Sequence, residues 1–261
     1  MRIAIGVEYD GGPFHGWQSQ SDGSGVQDAL ERALGSVAGR MVSAVAAGRT
    51  DAGVHATLQV AHFDSEAERP DDAWVRGVNA RLPDAIAVRW AARVPDDFHA
   101  RFAATGRHYT YLLLDRPVRP ALLRTRVGWY HRPLAVEAMR KAAEPLLGKH
   151  DFSAFRAAEC QAKSPLKTLD RVEISREDDL LRFDLHADAF LQHMVRNIIG
   201  ALVYVGSGRQ PASWLGELLA GRDRTRAAPT FPAAGLYLTG VDYPPRWNLP
   251  ATLAPVRLPR C

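Results

Sequence analysis

The 261-residue chain predicts an α+β fold built from two ferredoxin-like βαββαβ halves with largely antiparallel sheets. Two observations predict it. The order strand, helix, strand, strand, helix, strand can be read twice along the chain, and its strands and helices carry the apolar periods proper to each. In addition, no low-complexity stretch or Gly/Ser linker divides the sequence. Residues 1–100 and 101–245 are therefore expected to share one core or to meet at a central cleft. Residues 246–261 form a tail with no assigned role.

In "RIAIGVEY" the residues Ile3, Ile5, Val7 and Tyr9 share one face of a first strand. "SGVQDALERALGSV" places Val26, Leu30, Ala33, Leu34 and Val37 on one helical face, with Ser24 and Gln27 fitting a capping box. "MVSAVAA" and "LQVAHFD" read as strands, "DDAWVRGVNARL" as a helix and "AIAVRWAARV" as a strand. After "PDDFHARFAATGR" the order recurs. "HYTYLLL" is a strand, "VEAMRKAAEPLLG" a helix, and "LDRVEIS" and "LLRFDLHA" are strands. "LQHMVRNIIGALVYVG" follows as a helix, "ASWLGELLAG" as an extra one, and "GLYLTGVDY" closes as a strand.

The composition, 46% hydrophobic and 24% charged, is that of a soluble globular protein. No uncharged apolar run approaches 18 residues, so no membrane span is expected, and the first residues read as a strand rather than a signal peptide. Cys160 and Cys261 form neither a disulfide framework nor a zinc site. These features predict a cytoplasmic protein. The net charge of +4 is mildly basic, and arginine supplies 29 of the 33 cations because lysine occurs only at Lys141, Lys149, Lys163 and Lys167. Arginine suits phosphate and base contacts; a GC-rich genome would raise the Arg and Ala content equally well.

The nine histidines show no metal-ligand spacing; His150 and His186 come nearest, and His186 is expected to face solvent on its strand. No phosphate-cradling glycine motif follows a strand and no G-x-S-x-G elbow occurs. What remains is one carboxylate among small residues. "AVAAGRTDAGVHATLQV" sets Asp51 between two strands, with Arg49 two positions before it and His55 four after. Alone, the triplet reads as a turn. "RHYTY" aligns Arg107, Tyr109 and Tyr111 at period two, which an ordinary half-buried strand would also do. "FLQHMVRNIIG" sets His193, Arg196 and Asn197 on a helix, where a solvated polar face is the plainer reading. "DRPVRPALLRTRVGWYHRP" interleaves Arg116, Arg119, Arg124, Arg126 and Arg132 with Trp129 and Tyr130, a pattern suited to RNA but also to a solvated loop.

Together the stretches "YDGGPFHGWQSQ", "GVQDALERAL", "GRTDAGVHA", "FHARFAATGRHYTY", "GKHDFSAF", "FLQHMVRNIIG" and "PAAGLYLTGVDYP", in that order, closely resemble the TruA family of tRNA pseudouridine synthases. The resemblance runs from Met1 to about Pro245; Phe231 departs from it, standing where small residues are commoner. It implies the pseudouridine synthase fold and isomerisation of uridine to pseudouridine in the anticodon stem-loop of tRNA, without metal or cofactor. It also implies a homodimer with tRNA lying across both subunits. By the same resemblance Asp51 acts on the ribose of a flipped-out nucleotide, as nucleophile or base, and Arg196 is its ion-pair partner. Arg49 assists flipping and Tyr109 stacks on the flipped base. Arg124 and Arg126 are candidate tRNA contacts. Two other classes stay open on the residues alone: a hydrolase in which Asp51 is a nucleophile or metal ligand, and a non-catalytic RNA-binding module.

Overall fold

A computed structural model of the protein describes residues 1–250 and 252–256; residues 251 and 257–261 of the tail lie outside the described residues. Among the described residues the chain forms ten strands and five α-helices, an α+β fold whose strand pairings are mostly antiparallel. It divides into two compact units, Met1–Gly106 with Tyr237–Cys261, and Arg107–Leu236. No helix among the described residues is long and apolar enough to cross a membrane.

The first unit contains β1 (Arg2–Tyr9), α1 (Val26–Ala38), β2 (Val45–Ala46), β3 (His55–Asp64), α2 (Asp71–Asn79) and β4 (Ile86–Val94). β1 lies antiparallel between β3 and β4, pairing Ile3 with both Phe63 and Arg93. β10 (Leu236–Asp242) joins β3 in parallel, Tyr237 opposite His55. Ile3, Ile5 and Val7 point to one face of the sheet, where α1 buries Val26, Leu30, Ala33 and Leu34, and where Trp74 of α2 meets Phe63 edge-on at 5.1 Å. The other face is also covered. Ala4, Val60 and Val94 pack there with Phe98, Val241 and Trp247, the Phe98 and Trp247 rings 5.2 Å apart. Burial on both faces explains why β3 is buried almost throughout rather than on alternate residues, its polar His55, Gln59 and His62 included.

The tail contributes to this unit. Trp247 is buried, and Val241 N–H donates to Thr252 O while Ala254 N–H donates to Thr239 O, extending the sheet beside β10. The strand expected to close the second half thus belongs to the first unit, together with part of the tail.

The second unit contains β5 (Gly106–Asp115), β6 (Gly128–Tyr130), α3 (Val136–Ala143), β7 (Gly148–Asp151), β8 (Leu166–Glu177), β9 (Leu180–Ala187), α4 (Met194–Gly206) and α5 (Trp214–Gly221). β9 runs antiparallel between β5 and β8, pairing Tyr109 with Leu185 and Tyr111 with Phe183; β7 adds to β8, and β6 lies parallel to β5. α4 is buried on nearly every side, from Met194 to Gly206. Its sequence has almost no polar stripe to leave in water.

Several elements differ from expectation, each for a local reason. The predicted strand over 41–47 shrinks to β2 because the Ala44 N–H is taken by the Glu31 carboxylate at 2.8 Å. The predicted capping box is absent. Gly25 is the N-cap of α1 and Asp28 accepts its N–H at 2.9 Å, while Ser24 Oγ turns to Asp22. α2 stops at Asn79, whose side-chain amide bonds both backbone groups of Val88 on β4. α3 gives way to a 3₁₀ turn at Glu144–Leu146, where Pro145 lacks the N–H a helix would use. β6 and β7, three and four residues long, carry too few residues to show a period and were not anticipated. His186 does not face solvent freely. It is half-buried, 4.3 Å from the His108 ring and 3.3 Å from an Asp170 oxygen.

Candidate active site

Asp51 sits in the connection from β2 to β3, and the chain on either side of it is tied down group by group. Ala47 N–H donates to Val60 O at 2.8 Å, and the buried Gln59 amide donates to Gly48 O at 2.6 Å. Thr50 is buried; its Oγ1 lies 2.9 Å from the Tyr9 hydroxyl and its carbonyl accepts from Trp17 N–H at 3.0 Å. Burial pushes the Tyr9 phenol up to about 12, so the hydroxyl stays protonated and the pair stays a hydrogen bond. Val54 N–H closes the turn on Asp51 O at 3.1 Å. The middle residue of Arg-Thr-Asp is thus the anchor. Its neighbours are presented outward, Arg49 exposed and Asp51 half-exposed.

The loop between β1 and α1 forms the other wall of this shelf. Gly11 donates its N–H to His55 Nδ1 at 3.1 Å, and an Asp10 oxygen lies 3.0 Å from the same nitrogen. The buried His55 ring stacks on Tyr237 at 4.7 Å. Two glycines let the loops close on each other. A Cβ on Gly11 would stand 1.9 Å from Val54 O, and one on Gly16 would stand 2.7 Å from Thr50 O, at a backbone φ of +91° that L side chains avoid. Gly16 O also accepts from Val26 N–H, at the start of α1. The helix terminus, the glycine loop and the Asp51 loop therefore form one continuous backbone assembly.

The remaining predicted residues lie in the second unit. Tyr109 on β5 is 9% exposed and meets Phe190 edge-on at 5.1 Å. Arg107, on the same face, donates to Asp188 O at 2.8 Å. Arg196 stands in the first turn of α4, after His193 enters the helix at φ +63°. Its Nε donates to Phe231 O at 2.8 Å, and Phe231 N–H returns a bond to Arg196 O at 3.3 Å. The Phe231 ring turns away to Tyr111, 5.8 Å off. Asn197 is not on a solvated face. It is fully buried, donating to Phe155 O and accepting from Arg224 and Thr230. Arg124 is exposed and Arg126 half-buried on the loop before β6. That loop is pinned by Trp129 Nε1–H donating to Arg116 O at 2.8 Å and by Arg116 reaching Asp179 at 3.2 Å.

A family profile described as tRNA pseudouridine synthase matches residues 5–103 and 142–244, which include Arg49, Asp51 and Arg196. The chain belongs to the tRNA pseudouridine synthase family. It is 63% identical to the tRNA pseudouridine synthase A of Chromobacterium violaceum over 259 residues, 99% of either chain. Identity to the same enzyme of Thiobacillus denitrificans is 60% over 250 residues, 96% of either chain. For Aromatoleum aromaticum it is 58% over 260 residues, covering all of this chain and 98% of the relative. The reaction of the family is isomerisation of uridine to pseudouridine in tRNA, which sets aside the hydrolase and the non-catalytic module.

What the sequence reading missed is the bracing itself. In the first unit the sequence does not mark Thr50 or Gly16 as braces and shows Tyr9 only as part of a strand face; in the second it does not mark Arg224 or Thr230 and shows Asn197 only as part of a polar helix face. The glycine density of "YDGGPFHGW" and the amide inside an apolar helix were the available signals.

Proposed function

We propose that the chain isomerises uridines of the anticodon stem-loop, with Asp51 performing the bond exchange. The observation that carries this reading is the Asp51 loop, where a carboxylate left half-exposed is set on a shelf held from both sides by backbone hydrogen bonds. Preorganisation of this kind is what positions a reacting group without further cost at the moment of reaction.

Two routes fit. In one, an Asp51 oxygen attacks C1′ and the C1′–N1 bonding pair leaves with the uracil. The base turns, C5 bonds to C1′ as the carboxylate departs, C5 gives up its proton and N1 takes one up. In the other, Asp51 removes the C2′ proton, uracil leaves a glycal behind, C2′ regains the proton as C5 adds to C1′, and C5 then gives up its proton while N1 takes one up. Either route is an isomerisation without net gain or loss of atoms, and neither calls on a metal or cofactor.

Arg196 is the ion-pair partner of Asp51 in this reading. Arg49, exposed beside the anchor, takes part in extruding the nucleotide, which costs roughly a few kcal/mol of stacking and pairing. Tyr109 stacks on the flipped uracil, and Arg124 and Arg126 contact tRNA phosphates. The protein is proposed to act in the cytoplasm as a homodimer with the tRNA across both subunits.

Asp51→Asn tests the assignment, because it keeps shape and polarity while removing the charge both routes use. Turnover should fall by about 10⁴-fold or more while tRNA binding persists. A folded Asn variant isomerising uridine at near-normal rate would remove Asp51 from the chemistry.

A further inference from the structure

Arg224 stands in a 3₁₀ turn, Arg224–Arg226, after α5, and it is the hub of a polar cluster beneath the first turn of α4. Its Nη1 donates to Ala228 O at 2.9 Å; its Nη2 donates to Asn197 Oδ1 at 3.1 Å and to Thr230 Oγ1 at 3.2 Å. Thr230 Oγ1 donates to Asn197 Oδ1 at 2.7 Å, and Asn197 Nδ2 anchors the group to Phe155 O at 2.8 Å. Among the described residues, all the hydrogen-bond partners of this guanidinium are neutral oxygens. Sinking a cation among neutral oxygens gives little net stability, because the hydrogen bonds are set against the loss of hydration. What the arrangement does secure is geometry.

The cluster fixes residues 228–230 against α4, and the next residue is Phe231, whose carbonyl accepts from Arg196 Nε and whose N–H donates to Arg196 O. We propose that Arg224 is a positioning residue of the isomerase. By clamping Asn197, Thr230 and the Ala228 carbonyl, it sets the Phe231 backbone that aims the Arg196 guanidinium. The proposal rests on the reading of Arg196 as a member of the catalytic site. Arg224 itself touches neither substrate nor reacting atoms. Only a planar fork can serve Ala228 O with one nitrogen and Asn197 and Thr230 with the other, so lysine restores part of the arrangement and glutamine less.

The experiment is a double-mutant cycle on the full-length enzyme with tRNA, using Arg196→Met, Arg224→Gln and the double variant, with Arg224→Lys alongside. Single-turnover rate, tRNA affinity and thermal midpoint are measured for each. Arg224→Gln should slow the chemical step by about 10- to 100-fold, the scale of an ångström-sized misplacement. tRNA affinity should stay within about twofold, and Arg224→Lys should recover part of the rate. In the Arg196→Met background the Arg224→Gln change should cost little more, because its route of action is already gone.

Multiplicative losses in the double variant would overturn the proposal, as would a normal rate in Arg224→Gln. So would a rate loss matched by an equal fraction of unfolded protein. A normal rate in Arg196→Met would instead sink the assignment of Arg196. If Arg224→Gln does not fold, Thr230→Val tests the same clamp with the same expected pattern.

Discussion

The Asp51 loop and the Arg196 turn are held by different means. Around Asp51 much of the work involves main chain: backbone bonds from Trp17, Val26 and Val54, side chains of Gln59 and His55 that bond backbone groups, and two glycines that let one loop press on another, with Thr50 and Tyr9 as the side-chain pair. Around Arg196 it is done by side chains, with Arg224, Thr230 and Asn197 meeting at one buried amide. The contrast shows where each unit is vulnerable. The first fails when a Cβ is added, the second when a polar head is lost.

The sharpest way to break the comparison is Gly16→Ala. The added carbon meets Thr50 O at 2.7 Å in a left-handed backbone, so the loop must shift or strain by about 2–4 kcal/mol. The thermal midpoint and the single-turnover rate should fall together. A Gly16→Ala enzyme as stable and fast as the parent would show that the shelf yields freely.

Acid offers a second test, on the opposite face of the same sheet. Burial, with Arg2 and His99 nearby, pushes His62 down to about 4, and its neutral Nδ1 accepts from Ala100 N–H at 3.2 Å. In the unfolded chain the group protonates near 6.5, so between pH 6.5 and about 4 the unfolded state binds more protons. The contribution is therefore present above pH 6.5 and lost as pH falls to about 4. It amounts to about 3 kcal/mol at most. Urea unfolding across this window should show the loss, and His62→Gln should flatten it. An equal pH slope in both proteins would assign the effect elsewhere.

The smallest effect is expected at Arg124 and Arg126, on the loop before β6. Neutralising both should reduce the salt dependence of tRNA affinity by about one to two units of slope and leave the chemical step unchanged. An unchanged slope would turn this loop away from the RNA.

How much of this was legible follows the same division. The strands and helices of both units were readable from apolar period, because burying one face imposes it. The short β6 and β7 were not, since three or four residues show no period. The Arg-Thr-Asp triplet reads by itself only as a turn, and the reason Thr50 separates its two neighbours lies in Tyr9 and Trp17, more than thirty residues away along the chain. Asn197 looked like the edge of a solvated stripe because its partners, Phe155, Arg224 and Thr230, come from three separate segments. Sequence pattern reports what an element buries; it is blind to which distant polar group meets it.

The membership of β10 and Trp247 in the first unit has a consequence for synthesis. Residues 1–106 leave the ribosome first, but the strand that joins β3 and the ring that packs on Phe98 are among the last to be made. At roughly 5–20 residues per second, the nascent first unit waits on the order of ten seconds with that stretch of β3 unpaired and its second face covered only in part. An unpaired strand edge is a site for misassociation. Arg107–Leu236 can meanwhile fold as an uninterrupted segment. The half that carries the carboxylate begins translation first and is finished last.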